Sequence, residues 1–148
     1  MAARSYVVAL ADGRYLGRQA VGNVARVTGP FAFASTFQDI GQAERWSRDF
    51  DGHTDQPSVV AEIRNDWRSG CGAEPYRILV GWHAHPLAGD GEEYRLYWAT
   101  TFAEALTMAE RDGSSEEYPP DCYGVHPCQY DRARAEGIRF NEADGLLL

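Results

Sequence analysis

Two short stretches gather side chains that hold metals or move protons: "GWHAHP" at 81–86 and "CYGVHPC" at 122–128. His83 and His85 are two residues apart, so on a strand they project to the same side. Cys122, His126 and Cys128 add two thiols and an imidazole, and zinc takes four such nitrogen and sulfur ligands at tetrahedral corners. The five residues together form a candidate zinc set, although Cys-x3-His-x-Cys is not the spacing of a standard finger or ribbon. A structural zinc would tie down a C-terminal stretch with few apolar residues to order it. The plainer reading is half-buried thiols and surface histidines. Elsewhere the chemistry is thinner. Cys71 in "SGCGA" has no charged neighbour to lower its pKa, and "GDGEEY" at 89–94 is acidic where a phosphate cradle needs amides and a cation. No local signature of a nucleophilic triad surrounds any of the four histidines. An enzyme is therefore not the expected class, and zinc is the one cofactor the residues leave open.

The run His83-Ala84-His85-Pro86 resembles the His-x-His-Pro core of JAMM-type zinc metallopeptidases, in which two histidines and an aspartate bind zinc and a glutamate activates water. That pattern continues with a serine seven residues after the proline and an aspartate three further on. This chain has Glu93 and Leu96 at those places. The resemblance ends after six residues, and a zinc-dependent hydrolase stays an alternative rather than the main reading.

Bulk composition sets the frame. The 148 residues are 44% hydrophobic and 24% charged, as in ordinary globular proteins. The longest apolar run, "YVVALA" at 6–11, is far shorter than the roughly 20 residues of a membrane helix. An odd number of cysteines, three, with no export signal in the sequence, points to a reducing compartment, so a cytoplasmic location is expected. The net charge is −8 and the acidic residues are spread along the chain. Phosphate backbones are bound by clustered cations, so direct nucleic-acid binding is not expected. All fourteen basic residues are arginine, whose planar fork suits interface ion pairs.

The elements that would position these residues follow an α+β grammar. "SYVVALADGRYLG" at 5–17 alternates Tyr6, Val8 and Leu10 around Asp12-Gly13, a type I′ hairpin signal. Strands are expected at about 24–28 and 31–35. A helix then opens with a Thr36/Asp39 capping box and carries an apolar stripe of Phe37, Ile40, Ala43, Trp46 and Phe50. "PYRILVGWHAH" at 75–85 and "EEYRLYWA" at 92–99 read as a second hairpin. Thr101 and Glu104 open a second helix with Phe102, Ala105, Leu106 and Ala109 on its buried side. A third helix is expected over 54–70, with Pro57 in its first turn, Val59, Val60, Ile63 and Trp67 on one face, and Gly70 as its stop. The expectation is one domain, 1–148. It comprises a hairpin-helix unit at 5–53, the bridging helix at 54–70, a second unit at 75–113, and an irregular extension at 114–148 with a short helix near 129–136. The near-repeat of "STFQD" and "TTFAE" opens a duplication reading beside the plainer one that Thr-Phe is a common helix start. The terminal "GLLL" is expected against the core or a second subunit, which leaves a homodimer open.

The chain holds eighteen aromatic residues. Tyr94, Leu96 and Trp98 alternate with Arg95 and Tyr97 on one strand, so if the first set is core, the second lies outside, and Tyr and Arg are frequent in binding hot spots. With Asp49, Asp51, Asp55, Glu92 and Glu93 in turns or at strand edges, these give a candidate binding face of Asp49, Asp51, Asp55, Glu92, Glu93, Arg95 and Tyr97.

"YVV…DGRYLGR" followed by "FASTFQDIGQA" resembles a pattern in small accessory proteins of phages and mobile elements. The match covers residues 5–50, and 76–112 loosely. The resemblance implies an anti-defence role, of the kind anti-CRISPR proteins have, in the cytoplasm of a host cell; toxin-immunity proteins share the same physical profile. The expected function is a small acidic protein that inhibits or sequesters a protein partner with a basic surface, such as a nucleic-acid-binding effector or nuclease. A small-molecule binder, for example of a nucleotide, is the remaining alternative.

Overall fold

A computed structural model describes residues 4–18, 26–29, 31, 34–52, 57–65, 73–85 and 89–148. The fold is α+β, and the chain divides into two compact units, Met1–Ile63 and Arg64–Leu148.

The first unit holds strands β1 (Ser5–Ala9), β2 (Tyr15–Arg18) and β3 (Arg26–Gly29), helix α1 (Ile40–Asp51) and strand β4 (Val59–Ile63). Its strands run in the order β3-β2-β1-β4, with antiparallel pairings. The β1–β2 hairpin is present, but its loop is longer than a type I′ turn. Leu10 N–H donates to the Arg14 carbonyl at 2.8 Å and Gly13 N–H to the Leu10 carbonyl at 3.1 Å. Gly13 has φ +98°, the positive value that a three-residue loop requires of its last residue. Asp12 Oδ1 accepts the Arg14 amide at 3.0 Å and fixes the turn from within.

Helix α1 starts later than the Thr36 capping box predicts. Phe37 exchanges backbone hydrogen bonds with Tyr6 at 2.8 and 2.9 Å, which commits it to an extended bridge. Asp39 becomes the cap instead, accepting the Gly41 amide at 3.0 Å. The echo between "STFQD" and "TTFAE" is thus one of letters, not of capping geometry. Residues 32 and 33 lie outside the described residues, and Ala34 and Ser35 are irregular rather than strand. Tyr6, Val8, Leu10, Leu16, Phe37, Ala43 and Trp46 form the core of this unit, with Phe37 and Trp46 packed edge to face at 4.8 Å. Ile40, expected in the stripe, is exposed.

The helix expected over 54–70 is a strand at 59–63. Val59, Val60 and Ile63 fit a helical stripe by spacing, yet their branched Cβ atoms favour the pleated surface. The five residues pair with β1 from Ser5↔Ile63 to Ala9↔Val59. Asp51 Oδ1 accepts the Ser58 amide at 2.7 Å and its hydroxyl at 2.8 Å, tying the end of α1 to the start of β4. Asp55, Trp67 and Gly70 lie outside the described residues.

In the second unit β5 (Glu74–His85) and β6 (Gly89–Ala99) form the expected hairpin, followed by α2 (Phe102–Ser114). Thr101 caps α2 by accepting the Glu104 amide at 3.1 Å. The reciprocal half of the box is absent: Glu104 accepts the Thr100 hydroxyl at 2.8 Å, and the first helical amide, on Phe102, goes to Glu136 at 2.9 Å. Tyr76, Ile78, Val80, Tyr97 and Ala99 from the strands meet Phe102, Ala105, Leu106 and Ala109 from the helix.

The segment after residue 113 is more ordered than predicted. It supplies β7 (Cys122–Val125), antiparallel to β5 in the order β6-β5-β7, a 3-10 turn at Pro127–Gln129, and α3 (Tyr130–Ala135). The chain end then returns to β7: Val125 N–H donates to the Gly145 carbonyl at 2.8 Å and Leu147 N–H to the Tyr123 carbonyl at 2.9 Å. Leu147 packs against the core, whereas Leu148 is 80% exposed.

This return requires a residue without a side chain at 124, because a Cβ there would lie 2.7 Å from the Gly145 carbonyl oxygen. Gly124→Ala is expected to lower unfolding stability by about 1–3 kcal/mol. At Gly91 a Cβ meets nothing within 4 Å, so Gly91→Ala should stay within about 0.5 kcal/mol of the parent. Urea midpoints for the two variants check this contrast.

Candidate functional site

The sheet of the second unit carries two clusters of chemistry-bearing side chains, separated by the alternation of its strands. Glu93, Arg95 and Tyr97 share a face with Tyr76, Ile78 and Val80, the face on which α2 lies. Arg95 and Tyr97 are each 2% exposed, so the expectation that they lie outside is corrected. The reason is that Leu96, on the opposite side of the strand, is buried as well. Alternation assigns one face to solvent only when a sheet has a solvent face.

Burial forces these polar groups to find partners. Arg95 Nη2 donates to Glu93 Oε1 at 2.7 Å and to Glu116 Oε2 at 3.0 Å. Desolvation works against its charged form, but the hydrogen bonds and charges of Glu116 and Glu93 outweigh it and hold its pKa above the ordinary value. Tyr97 donates to Asp112 Oδ2 at 2.7 Å, and burial first, then this bond, raises its pKa. Arg64 Nε reaches the same Asp112 oxygen at 2.7 Å, and its Nη2 reaches Glu116 at 3.2 Å. Glu93, Arg95, Tyr97, Asp112, Glu116 and Arg64 thus form one connected network. Neither Asp112, in the last turn of α2, nor Glu116, just beyond it, was singled out from the sequence, although their spacing of four residues could have marked them as a pair.

The other face carries the metal-type residues at one end of the sheet. Gly81 and His83 project there from β5, Cys122 lies across from Gly81 on β7, and Glu92 lies across from Gly81 on β6. His83 N–H donates to Asp121 Oδ2 at 2.7 Å, and His83 Nδ1 lies 3.0 Å from Asp121 Oδ1. Cys122 Sγ lies 3.6 Å from the same Nδ1. Among the described residues, His83, Asp121 and Cys122 are a group whose donor atoms all fall within 4.8 Å of one another.

Of the predicted zinc set, the structure therefore joins His83 and Cys122 and adds Asp121, which sequence reading passed over although it adjoins Cys122. His126 and Cys128 have another task. His126 is 4% exposed, stacks edge to face with Tyr94 at 5.0 Å, and through Nδ1 accepts the Cys128 amide at 3.1 Å. Burial, aided by Arg77, pushes its pKa down to about 3, so it stays neutral and caps the 3-10 turn. The side chain of His85 lies outside the described residues.

The trio is not a thiol-hydrolase relay. Such a relay places the carboxylate on one ring nitrogen and the thiol on the other, whereas here both face Nδ1. Burial and the Asp121 charge also push the Cys122 thiol up to about 11, away from the reactive thiolate. Of the predicted partner-binding residues, Asp49 and Glu92 are exposed, Asp51 holds Ser58, Glu93 holds Arg95, and Asp55 lies outside the described residues.

Through this network Asp112 contributes stability that is sensitive to acid. Desolvation would raise its pKa, but Arg64 and Tyr97 bind its ionised form and the net shift is downward. As pH falls, the unfolded chain takes up this proton first, so the stabilisation is complete above the ordinary value of about 3.9 and is lost as pH drops through the lower folded value. Asp112→Asn should cost about 1–2 kcal/mol at neutral pH, and in urea titrations that cost should shrink below about pH 4. Comparison with models of protein families, with curated proteins and with solved structures finds no match, so any functional reading rests on the side chains described above.

Proposed function

We propose that the protein is an acidic binding protein that covers the basic surface of a protein partner and so blocks what that surface normally holds. The observation that supports this reading is a local one: Asp90, Glu92 and Asp121 stand exposed at one end of the β5–β6–β7 sheet, while the arginine nearest in the sheet, Arg95, is buried against Glu93 and Glu116. Carboxylates gathered at one sheet end add their potentials, and the whole chain carries −8. A surface of this sign complements the lysines and arginines of a phosphate-binding channel. A nuclease or a nucleic-acid-binding defence effector is therefore the fitting partner class, and an anti-defence or immunity role the fitting biology. With Arg95 and Tyr97 buried, the exposed carboxylates rather than an aromatic hot spot make first contact.

Complementary charge of this kind acts mainly on association. After capture of the partner from host cells and its purification, the on-rate should fall steeply as salt is raised from about 0.05 to 0.5 M. The double substitution Asp90→Asn/Glu92→Gln should slow association about three- to tenfold and leave dissociation nearly unchanged. A partner with an acidic surface, or binding indifferent to both salt and these substitutions, overturns the reading.

A further inference from the structure

The geometry points to a zinc site built from His83 Nδ1, Asp121 Oδ1 and Cys122 Sγ, open to a fourth ligand from solvent. This inference is independent of the partner reading, because it rests on donor atoms and their spacing rather than on net charge.

Spacing is the first argument. Around a tetrahedral zinc with bonds of about 2.0–2.3 Å, neighbouring ligand atoms stand roughly 3.3–3.6 Å apart. The carboxylate and thiol lie 3.0 and 3.6 Å from His83 Nδ1. Two of the three edges are thus within a few tenths of an ångström of the tetrahedral value, and all three donor atoms lie within 4.8 Å of one another.

Orientation is the second. Asp121 is held before any metal arrives: its Oδ2 accepts the His83 amide at 2.7 Å, and its own amide donates to the Gly81 carbonyl at 2.9 Å. Oδ1 is thereby aimed at the ring nitrogen, and the Oδ2 bond survives as an outer support of the ligand, the arrangement that tunes metal sites generally. His83 and Cys122 stand on paired strands, which fixes them more firmly than loops would.

The third argument is the floor of the site. Gly81 lies between Glu92 and Cys122 in the sheet, and a Cβ built on it would meet Cys122 Sγ at 2.6 Å and Glu92 Cγ at 3.6 Å. The thiol thus lies over the backbone of β5 in a space that any side chain at 81 would fill. Glu92, on the far side of the glycine, adds negative potential without being needed as a ligand.

Donor chemistry selects the ion. One thiolate, one imidazole and one carboxylate suit zinc, whereas magnesium and calcium take all-oxygen shells. On binding, the Cys122 S–H proton leaves to solvent, the His83 ring carries its single proton on Nε2 instead of Nδ1, and zinc–sulfur, zinc–nitrogen and zinc–oxygen bonds form in place of the Nδ1–H contact to Asp121. The side chains of His83 and Asp121 are 60% and 46% exposed, so the fourth position faces water. An open fourth position is what distinguishes reactive and bridging sites from closed structural ones.

Cobalt titration of the full chain, purified without chelators or a histidine tag, tests the assignment. The wild type should saturate at about one equivalent with a thiolate-to-cobalt charge-transfer band, and zinc should displace the cobalt. Cys122→Ser, a near-isosteric change, should remove the band. Asp121→Asn and His83→Ala should weaken binding about tenfold or more, and Cys128→Ser should leave it unchanged. Circular dichroism of each variant shows that it is folded. No charge-transfer band in the folded wild type at excess cobalt, or a band that persists in Cys122→Ser, overturns the site. Neither result touches the salt dependence of partner binding, so the two readings fail separately.

Discussion

A guanidinium held out of water needs carboxylates within reach, and Arg95 finds them on two different parts of the chain: Glu93 on its own strand and Glu116 just beyond the end of α2. The pairing links the helix end to the middle of β6. Asp112, one turn before Glu116, makes a parallel link through Tyr97 and Arg64. These contacts specify how α2 sits on the sheet, since apolar packing alone would tolerate some sliding of Phe102, Ala105, Leu106 and Ala109 over the strand residues. A buried ion pair adds less stability than its Coulomb energy suggests because desolvation opposes it. It does penalise arrangements in which either partner is left alone. That one-sided cost fixes the position of the helix and, through the shared sheet, of β5 and β7.

The same constraint explains what could and could not be read from the chain. The β5–β6 hairpin and α2 were legible because two signals agreed: two long strand-like runs in succession, and a Thr cap before an apolar stripe. β4 was not, since Val59, Val60 and Ile63 satisfy a helical spacing as well as a strand, and the pairing with β1 decided the matter. β7 was hidden in a short run of mixed residues whose order comes from partners distant in sequence, namely Gly81 on β5 and the returning Gly145–Leu147. Local pattern carries no record of such pairings. At the start of α1 the capping box makes Thr36 the cap, and a tertiary bridge at Phe37 passes that role to Asp39.

The candidate site divides in the same way. His83 and Cys122 were recognisable by residue type, and their meeting depends on the antiparallel register that sets Cys122 opposite Gly81. Asp121 was passed over because a single carboxylate in an acidic chain carries no distinguishing mark until a backbone amide is seen to hold it. Alternation correctly separates Arg95 and Tyr97 from Leu96, but it does not say that either face is wet, and here α2 covers the face that was expected to lie outside. A strand buried on both sides shows the same alternation of large and polar residues, with the polar ones satisfied internally.

Two histidine–cysteine pairs among the described side chains of the second unit, His126 with Cys128 and His83 with Cys122, show that environment rather than type decides the role. His126 is enclosed, keeps its proton off at any physiological pH, and uses Nδ1 to accept the Cys128 amide, so that nitrogen is already committed to the backbone. His83 sits at an open edge with Nδ1 turned toward a carboxylate and a thiol. The first arrangement closes a turn and excludes ligands. The second gathers three donor atoms within 4.8 Å of one another at an exposed position, where a bound cation would lower the mutual repulsion of Asp121 and a Cys122 thiolate. The same local excess of negative charge can therefore be answered by two separate routes, an ion held by three donors or the basic side chains of a partner.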